Sequence, residues 1–520
     1  MKRNLNSEFH AIFAQMSGKL STTLTILFLV LGMTPRKGWA QEERKIRIVN
    51  ANVLEFNERM PDARRLIGEV VFEHEGTYLY CDSAYFYEGS NRMEAFSNVR
   101  IVGDSVTVTA NNLKYNGAER VADLLGNVQL TDPGSKLNTN ALKYDLKNKV
   151  ATYTTGGKII STKENNELTS VFGQYKSESR MFFFRNKVQL KNPDYTMIGD
   201  TLNYNTTTDI AYFIGPTTIK SEENTIYCEN GFYNTRTDYS EFGKNAFIAS
   251  KGRTIKGDNL QYDRKTGKGI ARKNVVITDS ANSVVLKGNL ADYLEPQETI
   301  IITDKASMEK TFDKDTLFLA ADTLKSITDT VNKVRTLFAY QKAKFFKSDF
   351  QGKCDSLVYS EKDSTMRLFG IPVLWNEENQ LTGDTVRIQL ANEELKTLFL
   401  NQSAFIISEE DSLNYNQIKG RNIVGHFVNS SLRKVDVFGN GQSFYYARDE
   451  KGKYIGINKA ECSDMIIYID SNEVRTISFL KKPDATLYPI NKLKGKELKL
   501  KGFSWFGAIR PKRKEDIFLP

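Results

Sequence analysis

A six-residue segment recurs along this chain with a period near 30 residues, and it constrains the fold more than any other feature. It reads Cys81-Asp-Ser-Ala-Tyr-Phe86, Ala110-Asn-Asn-Leu-Lys-Tyr115, Thr139-Asn-Ala-Leu-Lys-Tyr144 and Ser170-Val-Phe-Gly-Gln-Tyr175. It returns as Gly199-Asp-Thr-Leu-Asn-Tyr204, Cys228-Glu-Asn-Gly-Phe-Tyr233, Gly257-Asp-Asn-Leu-Gln-Tyr262 and Gly288-Asn-Leu-Ala-Asp-Tyr293. Further copies start at Ala321, Cys354 (Cys354-Asp-Ser-Leu-Val-Tyr359) and Gly383, with looser ones at Gly420 and Cys462. A fixed period held this long marks a stacked repeat architecture. A stack grows without dividing into separate cores, so 520 residues need not mean several domains.

The rest of each unit is β-like. A short apolar run precedes the segment, as in Gly126-Asn-Val-Gln-Leu130, and a polar turn such as Asn116-Gly117 or Asp145-Leu-Lys-Asn148 follows it. Short apolar runs separated by Gly, Asn and Asp turns predict an all-β fold. No stretch keeps the 3.6-residue period of an amphipathic helix long enough to compete. Alternation within the segment assigns its faces. Positions four and six are mostly Leu and Tyr, and positions three and five are mostly polar. Stacked copies therefore line up one apolar surface. Its members include Leu113, Tyr115, Leu142, Tyr144, Leu202, Tyr204, Leu260, Tyr262, Leu357 and Tyr359. Position two is Asp, Asn or Glu in almost every copy, Val171 being an exception. A catalytic carboxylate has no reason to recur on every turn. A short polar side chain that hydrogen-bonds neighbouring backbone does.

Charge sits at the ends. Of the net charge of +9, residues 1–40 carry +4 and residues 481–520 carry +7, which leaves −2 for the body. The body is thus not a nucleic-acid surface. Residues 1–40 combine early Lys and Arg, an apolar run from Leu24 to Met33, and small residues at Gly38-Trp39-Ala40. That is the pattern of a secretory signal. The competing reading is an uncleaved anchor, although the run is shorter than the roughly 20 residues a bilayer needs.

Chemistry-bearing residues follow the repeat or stand alone. Cys81, Cys228 and Cys354 occupy position one, where other copies hold Gly, Ala, Ser or Thr; small size is the shared property. His74 and His426 have no ligand-spaced partner, and no zinc cluster, nucleophile elbow or phosphate loop is present. Neither a catalytic residue nor a cofactor is expected.

These units resemble the OstA-like repeat of the LptA family of periplasmic lipopolysaccharide-transport bridge proteins, shared with the N-terminal periplasmic part of the outer-membrane translocon LptD. The resemblance spans residues 45–400 well and 400–480 loosely. It implies a β-jellyroll, an open β-trough of stacked short antiparallel strands. It further implies that the inward residues named above shield lipid A acyl chains, that troughs join head to tail and to other transport components, and that no bond chemistry occurs. The chain carries more copies than such a bridge usually has, and too few residues follow position 480 for the translocon's barrel. The expected organisation is a signal peptide at 1–40, repeats at 41–400, a looser continuation at 401–489, and a basic aromatic tail at 490–520. The expected location is the periplasm, with contact to either membrane left open. The tail reads either as a solvated terminus or as a dock for anionic headgroups or a partner. Two other functions fit a repeat of this kind: a structural or adhesive solenoid, and a polysaccharide-acting β-helix enzyme.

Overall fold

The computed structural model describes residues 45–519. Within that span it omits 59, 103–106, 132–134, 162–165, 177, 192, 194, 206, 223, 251, 264, 295–297, 314, 330, 333, 392–393, 412, 450 and 471–472. The expected signal at 1–40 lies outside the described residues. Among those residues there are 38 strands and no α-helix, and the strand pairings are antiparallel. The all-β, repeat-built fold class holds. The described residues fall in two compact units, one within 45–250 and 256–266, the other within 252–255 and 267–519.

In the first unit each repeat supplies two long strands, for example Arg92–Val102 and Thr107–Asn116. Every long strand is interrupted near its middle. Phe96 pairs with Asn112 and Val99 with Ala110, so Ser97 and Asn98 together face the single residue Asn111. Gly126 and Asn127 face Asn140 in the same way, and Asn186 and Lys187 face Asp200. Two residues opposite one is a β-bulge, which bends the strand. Here both bulged residues are left-handed: φ is 59° and 51° at Ser97 and Asn98, and 76° and 47° at Gly126 and Asn127. Hairpin ends are set by Asx turns. The Asn116, Asp145 and Asn234 side chains accept backbone N–H groups two or three residues on.

The bend sends the two halves of a strand into different ladders. Strand Ser135–Asp145 pairs through one half with Val150–Tyr153 and through the other with Gly157–Ser161. The ladders rejoin at Met181–Lys191. Their inner faces touch. The Phe72 and Phe86 rings, from opposite halves of adjacent strands, lie 5.8 Å apart. This is the two-sheet arrangement of a jellyroll, and burial of its interior supplies most of its stability.

The second unit repeats the plan. Strand Val284–Leu294 gives rise to two separate ladders. One runs through Thr323–Asp329, Val334–Tyr340, Ser356–Ser360 and Thr365–Phe369. The other runs through Thr316–Ala320, Ala343–Phe346, Phe350–Cys354 and Val373–Asn376. Both end on Glu394–Glu409, and long bulged strands follow as far as Tyr454–Asp470. Paired left-handed corners continue here at Asp304-Lys305, Gln341-Lys342, Gln402-Ser403 and Gly439-Asn440.

Residues 490–519 are not a solvated tail. They lie across the second ladder as a strap. Leu500, Phe503 and Trp505 pack with Phe405, Phe444 and Tyr446, with Tyr415 in contact with the Phe503 and Trp505 rings. Three buried glutamines read the strap. Gln417 Nε2 donates to the Leu498 carbonyl at 2.8 Å while its Oε1 accepts the Leu500 N–H at 2.8 Å. Gln380 does the same with the Ser504 carbonyl and the Phe506 N–H, at 2.8 and 2.6 Å. Gln351 Oε1 accepts from Arg510 Nε at 2.8 Å. The Gln417 and Gln380 amides imitate a strand backbone, and Gln351 holds the Arg510 side chain, so the strap is tied down without a strand of its own. Phe503 and Trp505, which one reading of the tail set against anionic headgroups or a partner, are packed against the protein's own strands.

The corners and the strap lend themselves to measurement. Ile371 holds φ 53°, a conformation unfavourable for a β-branched residue, and is 82% exposed. Ile371→Asn should raise stability by about 1 kcal/mol. Gly126→Val should lower it by about 1–3 kcal/mol, because a Cβ there also comes within 3.1 Å of the Asn111 side chain. Gly89→Ala, at an open site with ordinary φ, is the near-neutral control. Urea unfolding midpoints check the order. Gln380→Ala leaves two strap backbone groups without partners and should cost about 1–3 kcal/mol. Limited proteolysis within 500–510 should accelerate in that variant.

Candidate functional site

Two rows of side chains cross the first ladder. One passes from Met93 to Tyr115, Ala122, Tyr144, Ala151, Tyr175, Phe182, Tyr204, Ala211 and Tyr233, each residue opposite the next on a neighbouring strand. Tyrosine thus alternates with a smaller residue along much of the row. Neighbouring strands are about 4.8 Å apart, so alternate rings stand roughly 9.6 Å apart with alanine between them. The second row includes Leu113, Leu124 and Leu142, and later Phe184, Leu202 and Phe213. In the second unit the corresponding row runs from Ile302 through Leu324, Ala339, Leu357, Leu368, Val386, Leu400, Ile423 and Val437 to Met465.

The inward positions read from the repeat are all on these inner faces. Leu113, Tyr115, Leu142, Leu202, Tyr204, Leu260, Tyr262 and Leu357 are buried, Leu113 to 1% exposure and Tyr204 to 0%. Tyr144 and Tyr359 are half-buried. The tyrosines reach the opposite ladder: Tyr115 Oη lies 2.7 Å from His74 Nδ1, and Tyr153 Oη lies 2.7 Å from Ser170 Oγ. Burial pushes the Tyr115 and Tyr204 hydroxyls up to about 12, so both stay neutral at physiological pH.

The intervening strands contribute inner residues that the six-residue segment does not contain. Phe182, Phe184, Phe213, Phe242 and Phe345 are as deeply buried as the repeat's own leucines. The signal for them is present in runs such as Met181-Phe-Phe-Phe184, but those runs lack a fixed residue type from copy to copy.

Position two differs from its expected role. Alternation would place it on the same face as positions four and six. The bulge reverses this: positions one and four both point inward, and position two points out. Its backbone N–H, not its side chain, makes the recurring bond. Asn289, Asp322 and Asp384 donate to the carbonyls of Asp304, Gln341 and Gln402, the first residues of left-handed corners, at 2.8–3.0 Å. Val171 makes the same bond to Asn186 at 3.0 Å, so this copy tolerates valine. The side chains reach the corner residues directly, as in Asn98 Nδ2 to Asp82 Oδ2 at 2.8 Å and Asn245 Nδ2 to Glu229 Oε1 at 2.7 Å.

Cys81, Cys228, Cys354 and Cys462 are free and buried. Burial pushes the first three thiols up to about 12 and raises the fourth. Thiolate is the reactive form, so these sulfurs act as small apolar fillers. Among the described residues no group of three or more His, Cys, Asp and Glu is placed to hold a metal, and no helix is long and apolar enough to cross a membrane. At pH 8 the native protein should react with a thiol-specific chromogenic disulfide at least tenfold more slowly than the protein in 8 M urea (a working concentration, about fully denaturing). Fast labelling of any of the four in the native state would contradict their burial.

Residues 43–200 and 196–258 match the family described as OstA-like protein. Among solved structures, the chain is similar to LptH from Pseudomonas aeruginosa, titled the LptA homologous periplasmic component of the conserved lipopolysaccharide transport device. Identity is 19%, the alignment covers 23% of this chain and 82% of that one, and the TM-score is 0.20. No match is found among curated proteins.

Proposed function

We propose that this chain, OstA-like over residues 43–258, is a periplasmic lipopolysaccharide-transport protein whose inner face shields the acyl chains of lipid A. The observation that carries this reading is the unbroken apolar row on the inner side of each unit, from Met93 to Tyr233 and from Ile302 to Met465. A row of this kind suits fatty chains. Each buried methylene contributes about 0.8 kcal/mol, and the attraction has no direction, so a chain held this way is free to slide along the row.

Acyl chains reach the row by parting the two ladders along one side. Tyr115, Tyr144, Tyr204, Tyr262 and Tyr359 then supply broad ring faces, and Leu113, Leu142, Leu202, Leu260 and Leu357 supply the floor. No bond is made or broken, and neither a cofactor nor a catalytic residue takes part. The partners of this reading are lipopolysaccharide, the transport components of the inner and outer membranes, and a second copy joined head to tail. Nucleic acid is not among them.

The near-complete burial of Leu113 and Tyr204 favours a second reading, a structural solenoid with a permanently filled interior. One experiment separates the two. A photo-crosslinking phenylalanine is placed at Tyr115, Tyr204 or Tyr262, with exposed Tyr212 as control, in cells that make lipopolysaccharide. The transport reading expects glycolipid adducts at the three inner sites and not at the control. Protein that folds with the probe in place and yields no adduct at any inner site would establish the solenoid. Mass spectrometry of the purified protein should also find co-purifying lipid A-type glycolipid.

A further inference from the structure

The two ladders of the first unit are joined differently along their two sides. On the corner side the long strands pass from one ladder into the other through their bulges, as at Ser97-Asn98 and Gly126-Asn127, so the chain itself holds the ladders together. On the opposite side the strands end in hairpins. The turn at Glu75-Gly76 closes one ladder, and the turns after Tyr87, Asn116 and Asp145 close the other. Successive hairpins are bonded along the stack: the Gly117 N–H donates to the Asn91 carbonyl and the Leu146 N–H to the Arg120 carbonyl, both at 2.9 Å. No strand runs from ladder to ladder there among the described residues.

Side chains cross this seam instead. His74 Nδ1 and Tyr115 Oη lie 2.7 Å apart, with the rings edge to face at 5.6 Å. Beside them Arg120 forms an ion pair with Glu75. The Ile46 N–H donates to Asn91 Oδ1 at 3.0 Å. The partners are separated by 41 or 45 residues, so the three contacts belong to one line along the seam. The second unit has a counterpart. Asp279, at a hairpin end of one ladder, lies 3.7 Å from Arg335 of the other and also accepts from Arg253 Nη2 at 2.7 Å.

We infer that the hairpin side of the first unit is the entrance for acyl chains, and that His74–Tyr115 and Glu75–Arg120 form a clasp that holds it shut. The inference rests on the acyl-chain reading above and names the side and the residues. Parting the corner side would break strands in their middle. Parting the seam breaks side-chain contacts and leaves the backbone ladders whole. The clasp is weak enough to open: the Arg120 and Glu75 side chains keep 35% and 27% of their exposure, and an ion pair in contact with water adds little stability. Apolar side chains would seal the seam at least as firmly. Polar ones return to water when the ladders part, and so leave no apolar cost on the open rim. Tyr115 belongs both to the clasp and to the inner tyrosine row, so opening the clasp frees a ring face where a chain first enters.

The test uses the full chain with a photo-crosslinking phenylalanine at Tyr144, the next tyrosine of the row, and purified lipopolysaccharide. Glu75→Cys with Arg120→Cys is bridged across the seam by a reducible bis-methanethiosulfonate before lipid is added. Glu94→Cys with Lys114→Cys, which face each other within one ladder, is bridged in the same way as control. The native cysteines are buried and escape the reagent. The expected result is about a tenfold loss of glycolipid adduct in the seam-bridged protein, recovery on reduction, and no loss in the control. Glu75→Gln without a bridge should load about threefold faster at the parent's melting temperature. Adduct that forms equally well with the seam bridged overturns the inference and leaves the acyl-chain reading standing. Equal loss in both bridged proteins overturns it too, as does a Glu75→Gln protein that loads no faster. No adduct in the unbridged parent overturns both readings.

Discussion

A left-handed pair of residues in the middle of a strand is the constraint on which the rest of this structure depends. Ser97-Asn98, Gly126-Asn127, Asn186-Lys187 and their later counterparts each place two residues opposite one. A strand bent in that way cannot stay in one flat sheet, so its halves enter two ladders. The corners recur once per repeat, on every second strand, and every bend falls at the same level of the stack. The left-handed region is unfavourable for residues with a Cβ by about 1–2 kcal/mol. The corners accordingly draw mostly on Gly, Asn, Ser, Asp, Lys and Gln, with Glu69 and Ile371 as departures, and the N–H of position two repeatedly closes on the corner carbonyl.

The corner also decides what faces inward. Without the bulge, positions one and four would lie on opposite faces, and position two would share the interior with Leu and Tyr. With it, position one turns in beside the residue that follows the corner, as Ala110 does beside Val99 and Cys81 beside Val70. That crowding explains why position one is small, and why cysteine serves there without any thiol chemistry. The same geometry aligns positions four and six of successive copies into rows, so the apolar interior and the sulfur burial have one cause.

Much of this was legible in the residues. The period gave the stacking, and alternation at positions four and six assigned Leu113, Tyr115, Leu202 and Tyr204 to the inner face, where they lie. Alternation misled at position two because a bulge adds a residue without any fixed sequence signature. Ser-Asn, Gly-Asn, Asn-Lys and Gln-Ser all make the corner. The strap was illegible for a different reason. Gln351, Gln380 and Gln417 occupy no common position in the repeat, and glutamine is ordinarily an exposed residue. The strap, 80 or more residues away, explains their burial: its backbone pairs with Gln417 and Gln380, and its Arg510 side chain bonds Gln351. The basic character of residues 490–519 pointed to solvent, anionic headgroups or a partner, whereas Phe503 and Trp505 anchor the segment to Tyr415.

Departures from a repeat therefore carry more information than the repeat itself. Where every copy is alike, each residue is accounted for by stacking, and nothing remains to be assigned. The Cys228–Tyr233 copy gives up an inner leucine, and two phenylalanines on adjacent strands fill the space. The accompanying outward Phe232 lies beside Tyr212, the ring centroids 6.4 Å apart, at a position that is polar in most other copies. The second unit departs by lengthening its last strands to as many as 18 residues and laying the strap across them. In one unit the irregularity covers a face, and in the other it repacks an inner row with stacked rings. Burial of aromatic surface accounts for both.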